Sequence, residues 1–194
     1  MTETIEGAEA KLEFRDDSVV KKRHSKNYRH PDLDEKIREE RTEREARLMR
    51  EARKNGVNVP GVEKTGDDTL EIEEIDGEQL KDALDRNSDA MEQLGENAAR
   101  LHEADMIHGD LTTRNAMLSE SGTVLLIDFG LASRSSRTED KAVDIHLLKQ
   151  VLESSHPGIA EEAWQKFLEG YRGYGDSEEV MERLKEVEQR GRYK

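Results

Sequence analysis

The chain has 194 residues, of which 33% are hydrophobic and 39% charged, and its formal net charge is −14. This length suits one domain or two small lobes, and the clustering of the apolar residues favours a folded chain over a disordered one. There is no cysteine, which excludes disulfides, thiolate zinc sites and cysteine nucleophiles. The acidic balance argues against broad nucleic-acid binding.

The first part of the chain is predicted to form a hairpin, one long helix and a short strand. The segments "AKLEFR" and "SVVKKR" read as paired strands joined across Asp16 and Asp17. A charged helix is expected from Leu33 to about Asn55, because Pro31 ends any strand and Gly56 closes the helix. The segment "TLEIEEI" is a short strand that leads to Gly77.

The second part is predicted to be mostly helical. Apolar residues at helical spacing indicate a buried amphipathic helix over residues 89–104. A strand at Met117–Leu118, a turn and the apolar strand "VLLI" follow, and helices are expected around 139–153, 159–171 and 177–190. We therefore predict an α+β fold with an N-lobe over residues 1–77 and a helical C-lobe over 78–194.

The chain contains no apolar run long enough to span a bilayer, so no membrane-spanning helix is predicted. The N-terminus lacks the apolar core of a signal peptide. We expect a cytoplasmic protein with no membrane partner. The acidic residues are interpreted as a well-solvated surface, as in proteins that stay soluble in high salt, with an acidic face for a basic partner as the alternative.

The segments "MIHGDLTTRNAML" and "LLIDFG" carry the strongest chemical signal. An H-x-D-x-x-x-x-N pattern, then a strand, then D-F-G matches the kinase signature in order and in structural context. Asn115 and Asp128 offer the oxygen ligands that Mg²⁺ takes beside phosphates and water. Asp110 is then free to orient the attacking group or accept its proton. This pattern predicts a site for ATP and Mg²⁺.

A phosphate-binding lysine and its glutamate partner are predicted upstream. Strand alternation in "SVVKKR" places Val19 and Lys21 on one face and Lys22 on the other. Glu45 falls in the apolar stripe of the long helix, where a carboxylate needs a cation. We predict the pair Lys21–Glu45, with Lys22 as the alternative lysine and a solvent-facing Glu45 as the alternative reading.

The remaining nucleotide contacts are less specific. The segment "EGAEAK" contains a single glycine and no G-x-G-x-x-G pattern, although one glycine permits a close backbone turn. The segment "LEIEEI" stands where a kinase hinge would lie, so its main chain would pair with adenine. The predicted contacts outside the charged groups are Gly7, Ala8, Glu9, Val19, Ile72, Glu73, Ile75 and Ile127.

Gly109 stands where most protein kinases have an arginine before the catalytic aspartate. Only 13 residues separate Gly130 from Asp144, and no A-P-E sequence follows. The docking platform of a peptide kinase and the arginine that orders it are therefore both missing. Asp144 either braces the catalytic loop or caps the following helix.

The short segment after D-F-G contains four hydroxyl residues, which are either autophosphorylation sites or ordinary loop residues. These residues are Ser133, Ser135, Ser136 and Thr138.

The chain resembles the small atypical kinase of the KEOPS/EKC complex, the PRPK type with its archaeal relatives. The matching stretches span nearly the whole chain: "GAEA" (7–10), "VVKKR" (19–23), "YRHPDLD" (28–34), "RTEREARL" (41–48), "GVNVP" (56–60), "HGDLTTRN" (108–115), "IDFGLA" (127–132), "EDKAVDIHLL" (139–148) and "RGR" (190–192).

This resemblance implies a minimal bilobal protein-kinase-like fold with an antiparallel-sheet N-lobe. It makes Lys21 the phosphate lysine, Glu45 its partner, Asp110 the catalytic aspartate, and Asn115 and Asp128 the metal ligands. It further implies ATP and Mg²⁺ as cofactors and a role as an ATP-hydrolysing subunit in threonylcarbamoyl-adenosine modification of tRNA. The implied partners are a large catalytic tRNA-modifying subunit and a small bridging subunit.

The basic C-terminus is either a solvated helix end or a tRNA or partner contact, which would involve Arg190, Arg192 and Lys194.

Three other functions compete with that of an ATP-hydrolysing subunit in tRNA modification. They are a free-standing Ser/Thr protein kinase, a small-molecule phosphotransferase and a non-enzymatic scaffold. The short segment after D-F-G disfavours a free-standing protein kinase, and the absence of a large helical insertion disfavours a small-molecule phosphotransferase. A scaffold would not need the complete set of charged and amide site residues, which are Lys21, Glu45, Asp110, Asn115 and Asp128.

Overall fold

The structure is a computed structural model that describes residues 4–191. The chain divides into two compact units. The first contains the residues up to Glu51 together with Pro60–Ile75, and the second contains Ala52–Val59 and the residues from Asp76 onward. The predicted N-lobe over residues 1–77 differs from the first unit in that Ala52–Val59, Asp76 and Gly77 belong to the second unit.

The first unit is an antiparallel sheet with one long helix. The sheet order is β1-β2-β3-β5-β4, and every pair is antiparallel. The predicted hairpin is confirmed, because Leu12 pairs with Lys21 in the β2–β3 register. The bounds are β1 (Thr4–Glu6), β2 (Ala10–Phe14), β3 (Ser18–Arg23), α1 (Pro31–Lys54), β4 (Val62–Gly66) and β5 (Thr69–Glu73).

Local sequence accounts for both ends of α1. Pro31 occupies the first helical position, where its fixed φ suits a helix and its missing N–H is not needed. Acidic residues in the first turn and basic residues in the last complement the helix dipole. Gly56 has a φ of +79° and follows the helix, which is the common position for a left-handed glycine.

The second unit is rich in helix, as predicted. It contains a three-stranded sheet of order β6-β8-β9 and a two-stranded pair β7–β10. Its elements are β6 (Gly77–Gln79), α2 (Leu80–Ala83), α3 (Ala90–Glu103), β7 (Met106–Ile107), β8 (Ala116–Ser119), β9 (Val124–Leu126), β10 (Ser133–Arg134), α4 (Thr138–Ser155), α5 (Ala160–Tyr171) and α6 (Ser177–Gly191). Within residues 4–191, no helix is long and apolar enough to cross a membrane.

The core of the second unit depends on a close crossing of α3 and α5. A Cβ built on Gly95 would lie 2.1 Å from the Phe167 carbonyl oxygen, and one on Gly170 would lie 1.9 Å from that of Glu92. Each helix backbone thus occupies the space that a side chain on the other would need. Glycine at both positions is required by the packing.

We expect Gly170→Ala to lower the free energy of unfolding by about 3 kcal/mol, because the backbones must separate to admit a methyl group. Alanine's better helix propensity, worth about 1 kcal/mol, offsets only part of this cost. Urea denaturation measures the change. The control is Gly158→Ala, where a built Cβ meets no atom within 4 Å. Equal stability of the two variants would contradict the packing argument.

Candidate active site

The loop between β7 and β8 brings Asp110 and Asn115 into direct contact. Asn115 Nδ2 donates to the Asp110 carboxylate at 2.7 Å and to the Asp110 carbonyl at 2.9 Å. A one-turn 3₁₀ helix over residues 113–115 folds the chain back so that these side chains meet. Because the Asn115 amide donates through nitrogen, its oxygen remains an acceptor available to a cation.

Asp128 follows β9 and lies next to Asn115 along the β8–β9 pair. Ala116 pairs with Leu126 in the register, and the Ile127 N–H donates to the Asn115 carbonyl at 2.9 Å. Asp128 has a φ of +58°, which is uncommon for a residue with a side chain. Its carboxylate is exposed and accepts from the Gly130 N–H at 3.3 Å. Asn115 and Asp128 are thus brought to the same end of one strand pair.

Asp144 on α4 braces the catalytic loop, as one of the two alternatives for this residue predicts. Its two carboxylate oxygens accept the backbone N–H groups of His108 at 2.7 Å and Gly109 at 2.9 Å. The His108 ring bonds to the Ile127 carbonyl at 3.0 Å and contacts the Phe129 ring, with centroids 4.9 Å apart. The loop is therefore held from α4 and from the Asp128 segment.

A buried chain of polar groups supports Asp144. His102 lies between Tyr171 and Asp144, with contacts of 2.7 Å at Nδ1 and 3.4 Å at Nε2. Burial raises the pKa of Tyr171, so its hydroxyl stays protonated. Because a carboxylate can only accept, His102 Nε2 is the donor in its contact with Asp144, while Nδ1 faces the Tyr171 hydroxyl.

Burial alone would raise the pKa of Asp144, but hydrogen bonding from His102 and the His108 N–H outweighs it, and the net shift is downward. A carboxyl with a lowered folded-state pKa stabilises the fold above its unfolded pKa, and this stability is lost as the pH falls through the folded pKa.

We therefore expect the unfolding free energy of the native chain to fall as the pH drops below about 4, near the ordinary aspartate pKa. In Asp144→Asn this dependence should be shallower. Chemical denaturation between neutral and acidic pH measures both slopes. Asp16→Asn, an exposed position, is the control and should keep the native slope. Parallel curves for the native chain and Asp144→Asn would contradict the assignment.

The surroundings of Gly109 leave no room for a side chain at this position. Its φ is +78°, and a built Cβ would lie 2.4 Å from the Leu131 carbonyl oxygen. The segment after D-F-G thus passes directly over the position where other kinases have arginine. The Ser135 hydroxyl in that segment donates to Asp140 at 2.6 Å, and Thr138 donates to Glu179 at 2.8 Å. A phosphate on either hydroxyl would meet a carboxylate.

In the first unit, the structure places Lys21 and Glu45 together, with Nζ and Oε1 2.7 Å apart. Glu45 is only 1% exposed, whereas Lys22 points to solvent. Arg23 also contacts the Glu45 carboxylate from a buried position, and sequence reasoning missed it. The signal was present in "SVVKKR", because Lys21 and Arg23 alternate onto the same face of the strand.

The predicted nucleotide face lies partly on that sheet. Val19 pairs with Ile72 across β3 and β5, and Lys21 with Leu70, so Val19, Lys21 and Ile72 share one face. The Glu73 N–H already donates to the Gly61 carbonyl at 2.9 Å. The Glu73 N–H is thus engaged within the first unit, and pairing of adenine with the main chain of Glu73 and Ile75 stays a prediction from the sequence.

The turn between β1 and β2 contains Gly7, Ala8 and Glu9. The Gly7 N–H donates to the Ala10 carbonyl at 2.9 Å, and Lys26 donates to the Ala8 carbonyl at 2.8 Å. Glu9 forms ion pairs with Lys26 and Arg41 at 3.4 and 3.1 Å. These contacts tie the turn to the rest of the first unit.

Of the three basic residues predicted to contact tRNA or a partner, the structure describes only Arg190. Arg190 forms ion pairs with Glu139 at 2.8 Å and Glu186 at 3.7 Å, so its charge is already shared. Arg192 and Lys194 lie outside the described residues.

The donors present fit a magnesium–nucleotide complex. Among residues 4–191, no three His, Cys, Asp or Glu side chains form a cluster that would hold a metal ion. Mg²⁺ in nucleotide sites takes one or two protein ligands and completes its shell with phosphate and water. The Asn115 amide oxygen and the exposed Asp128 carboxylate suit that arrangement.

The antiparallel-sheet unit with one long helix, the helix-rich unit and the braced H-G-D loop define a protein-kinase-like fold. The solved structures that share it include Rio2 kinase and WbdD. Rio2 kinase from Chaetomium thermophilum, described as an ADP/Mg²⁺–phosphoaspartate complex, has a TM-score of 0.66 at 13% identity over 99% of this chain and 71% of that one. WbdD, described as a bifunctional kinase-methyltransferase, has a TM-score of 0.62 at 16% identity over 91% of this chain and 45% of that one.

Sequence comparison gives the family. The RIO domain matches residues 8–150. The KEOPS complex subunit Bud32 of Pyrococcus abyssi is 41% identical over 97% of this chain and 94% of its own length. A probable bifunctional tRNA threonylcarbamoyladenosine biosynthesis protein of Methanospirillum hungatei is 46% identical over 96% of this chain. This chain spans only 35% of the length of that bifunctional relative. The chain belongs to the RIO-domain family, in the branch of the KEOPS subunit Bud32.

Proposed function

We propose that this chain is an ATP-hydrolysing atypical Ser/Thr kinase subunit of a KEOPS complex that supports threonylcarbamoyl-adenosine modification of tRNA. The observation that carries the proposal is the Asp110–Asn115 contact at 2.7 Å on a loop braced through both oxygens of Asp144. Phosphoryl transfer depends on positioning and charge neutralisation, and a loop held in this way supplies positioning.

Each residue has a proposed role in that chemistry. Asn115 and Asp128 would hold Mg²⁺, which neutralises charge on the phosphates when bound. Asp110 would orient the attacking oxygen and accept its proton. Lys21 would contact the phosphates while Glu45 holds it in place. The contacts with the nucleotide base and with the β1–β2 turn are proposed for the residues predicted from the sequence, including the main chain of Glu73 and Ile75.

The proposed partners follow from the relatives. Archaeal relatives are named as a KEOPS subunit and as bifunctional tRNA-modifying proteins. We infer that this chain binds a large tRNA-modifying subunit and a small bridging subunit in the cytoplasm. Contact with tRNA through Arg190, Arg192 and Lys194 is part of the proposal. If it is right, deleting the basic tail weakens tRNA-stimulated hydrolysis and reduces its salt dependence.

The test follows the γ-phosphate of labelled ATP. The native chain and Asp128→Ala are incubated with and without the large partner subunit and tRNA. The proposal predicts label in free phosphate, rising when the partner is present and absent in Asp128→Ala. Transfer of label to a small-molecule acceptor would overturn it in favour of a phosphotransferase. Equal release by both proteins would show that this site does not hydrolyse ATP.

A further inference from the structure

The Glu45 carboxylate is shared between two cations of the same strand. Oε1 lies 2.7 Å from Lys21 Nζ, and Oε2 contacts Arg23 Nη2. The Arg23 side chain is 7% exposed and that of Glu45 is 1% exposed. The role proposed for Glu45 needs only Lys21, so the buried arginine calls for a reason of its own.

Sharing changes what holds Glu45 in place. A buried carboxylate paired with a single lysine loses its compensation when that lysine engages another anion, and an uncompensated buried charge is costly. Arg23 bonds to the second oxygen, so Glu45 remains paired whatever Lys21 contacts. Guanidinium also keeps its charge in any protein environment. Glu45 can then orient Lys21 without depending on it.

A second ion-pair network fastens the same helix to the same sheet. The Arg23 N–H donates to the carbonyl of Asp68, in the β4–β5 turn, at 2.9 Å. The Asp68 carboxylate accepts from Arg38 on α1, and Arg38 Nε donates to Asp34 at 2.9 Å. Thus α1 is attached near its start through Arg38 and near its middle through Glu45. Arg23 takes part in both connections.

We propose that Arg23 is a positioning residue that fixes Glu45, and with it α1, where Lys21 is oriented for phosphate. This inference rests on the proposed function. In regulated kinases, activation-loop phosphorylation fixes the site for catalysis. This chain has glycine in place of the arginine before Asp110 and only 13 residues between Gly130 and Asp144, so the inference gives that role to the permanent buried contact of Arg23 with Glu45. On this inference the Lys21–Glu45 pair forms without activation-loop phosphorylation.

The test is a double-mutant cycle in the purified full chain, with steady-state ATP hydrolysis as the readout. We expect Arg23→Met to lower kcat about tenfold while KM for ATP changes little, because a lost orientation affects the transition state more than ground-state binding. Arg23→Lys should recover most of the loss. In the Glu45→Gln background, Arg23→Met should cause no further loss, since Arg23 acts through Glu45.

Controls separate the outcomes. Arg15→Met removes an exposed arginine of the same unit and should leave kcat unchanged. Where Arg23→Met unfolds below the assay temperature, Arg23→Gln replaces it with the same expected loss. Native kcat in these variants, or losses that multiply fully with Glu45→Gln, would overturn the inference. Lys21→Met separates failure of the proposed function from failure of the role given to Arg23. Full activity in Lys21→Met would overturn the proposed function. Loss of activity in Lys21→Met together with native activity in Arg23→Met would overturn only the role of Arg23.

Discussion

Replacing Gly109 by arginine, the residue typical of kinases at this position, is expected to unfold the catalytic loop and not to restore an ordinary kinase. Two costs add. The φ of +78° disfavours any residue with a Cβ by about 1–2 kcal/mol. The Leu131 carbonyl, 2.4 Å from a built Cβ, must also move, and with it the segment that follows Asp128. We expect a loss of about 3–4 kcal/mol in unfolding free energy.

Gly122 offers a matched control for the first of these costs. Its φ is +82°, and a built Cβ there meets no atom within 4 Å. Gly122→Ala should therefore cost about 1 kcal/mol, and Gly109→Ala about 3 kcal/mol. Denaturant titration of both alanine variants isolates the contact with Leu131 as their difference. Equal losses would mean that the segment after D-F-G yields freely at Gly109.

Asp110→Asn is expected to lower the rate of phosphoryl transfer by about 10²–10³-fold, within the usual range for a lost general base. The amide keeps the shape of the carboxylate and still offers an oxygen to Asn115 Nδ2, so the loop should stay folded. Affinity for the nucleotide should change little. Single-turnover hydrolysis gives the rate, and binding of a non-hydrolysable ATP analogue gives the affinity.

The exposed carboxylate of Asp82 provides the comparison for that experiment, and Asp82→Asn should retain the native rate. A native rate in Asp110→Asn would remove this residue from the reaction. A matching loss of affinity would instead place Asp110 among the groups that bind the nucleotide in its ground state.

Periodicity and turn residues predict the longer elements of this fold well. The helix α1 has Pro31 at its start and Gly56 after its end, and α3 has apolar residues at helical spacing. The strands β1, β4, β6, β7 and β10 were missed, together with the short helix α2. All six elements have only two to five residues, and strands of that length depend on neighbours distant in the chain more than on local pattern.

The site shows the same division between local and distant information. The sequence predicts Asp110, Asn115 and Asp128 because their spacing follows the kinase motif. The contact of Arg23 with Glu45 joins residues 22 positions apart. Strand alternation places Arg23 on the same face as Lys21, but the packing of α1 on β3 is needed to identify its partner. The sequence shows that position 109 is glycine where most kinases have arginine. Why a side chain is excluded there is seen only in the structure, where the Leu131 carbonyl lies over this position. The occupied N–H of Glu73 likewise depends on its neighbour Gly61.

The most direct test of the central claim is calorimetric binding of ATP to the native chain and to Asp128→Ala, each with and without Mg²⁺. If Asn115 and Asp128 hold the metal of a nucleotide complex, Mg²⁺ should tighten ATP binding to the native chain by at least about tenfold. In Asp128→Ala this enhancement should disappear while the weaker metal-free binding remains. Binding of Mg²⁺–ATP to Asp128→Ala with the native affinity would contradict the account.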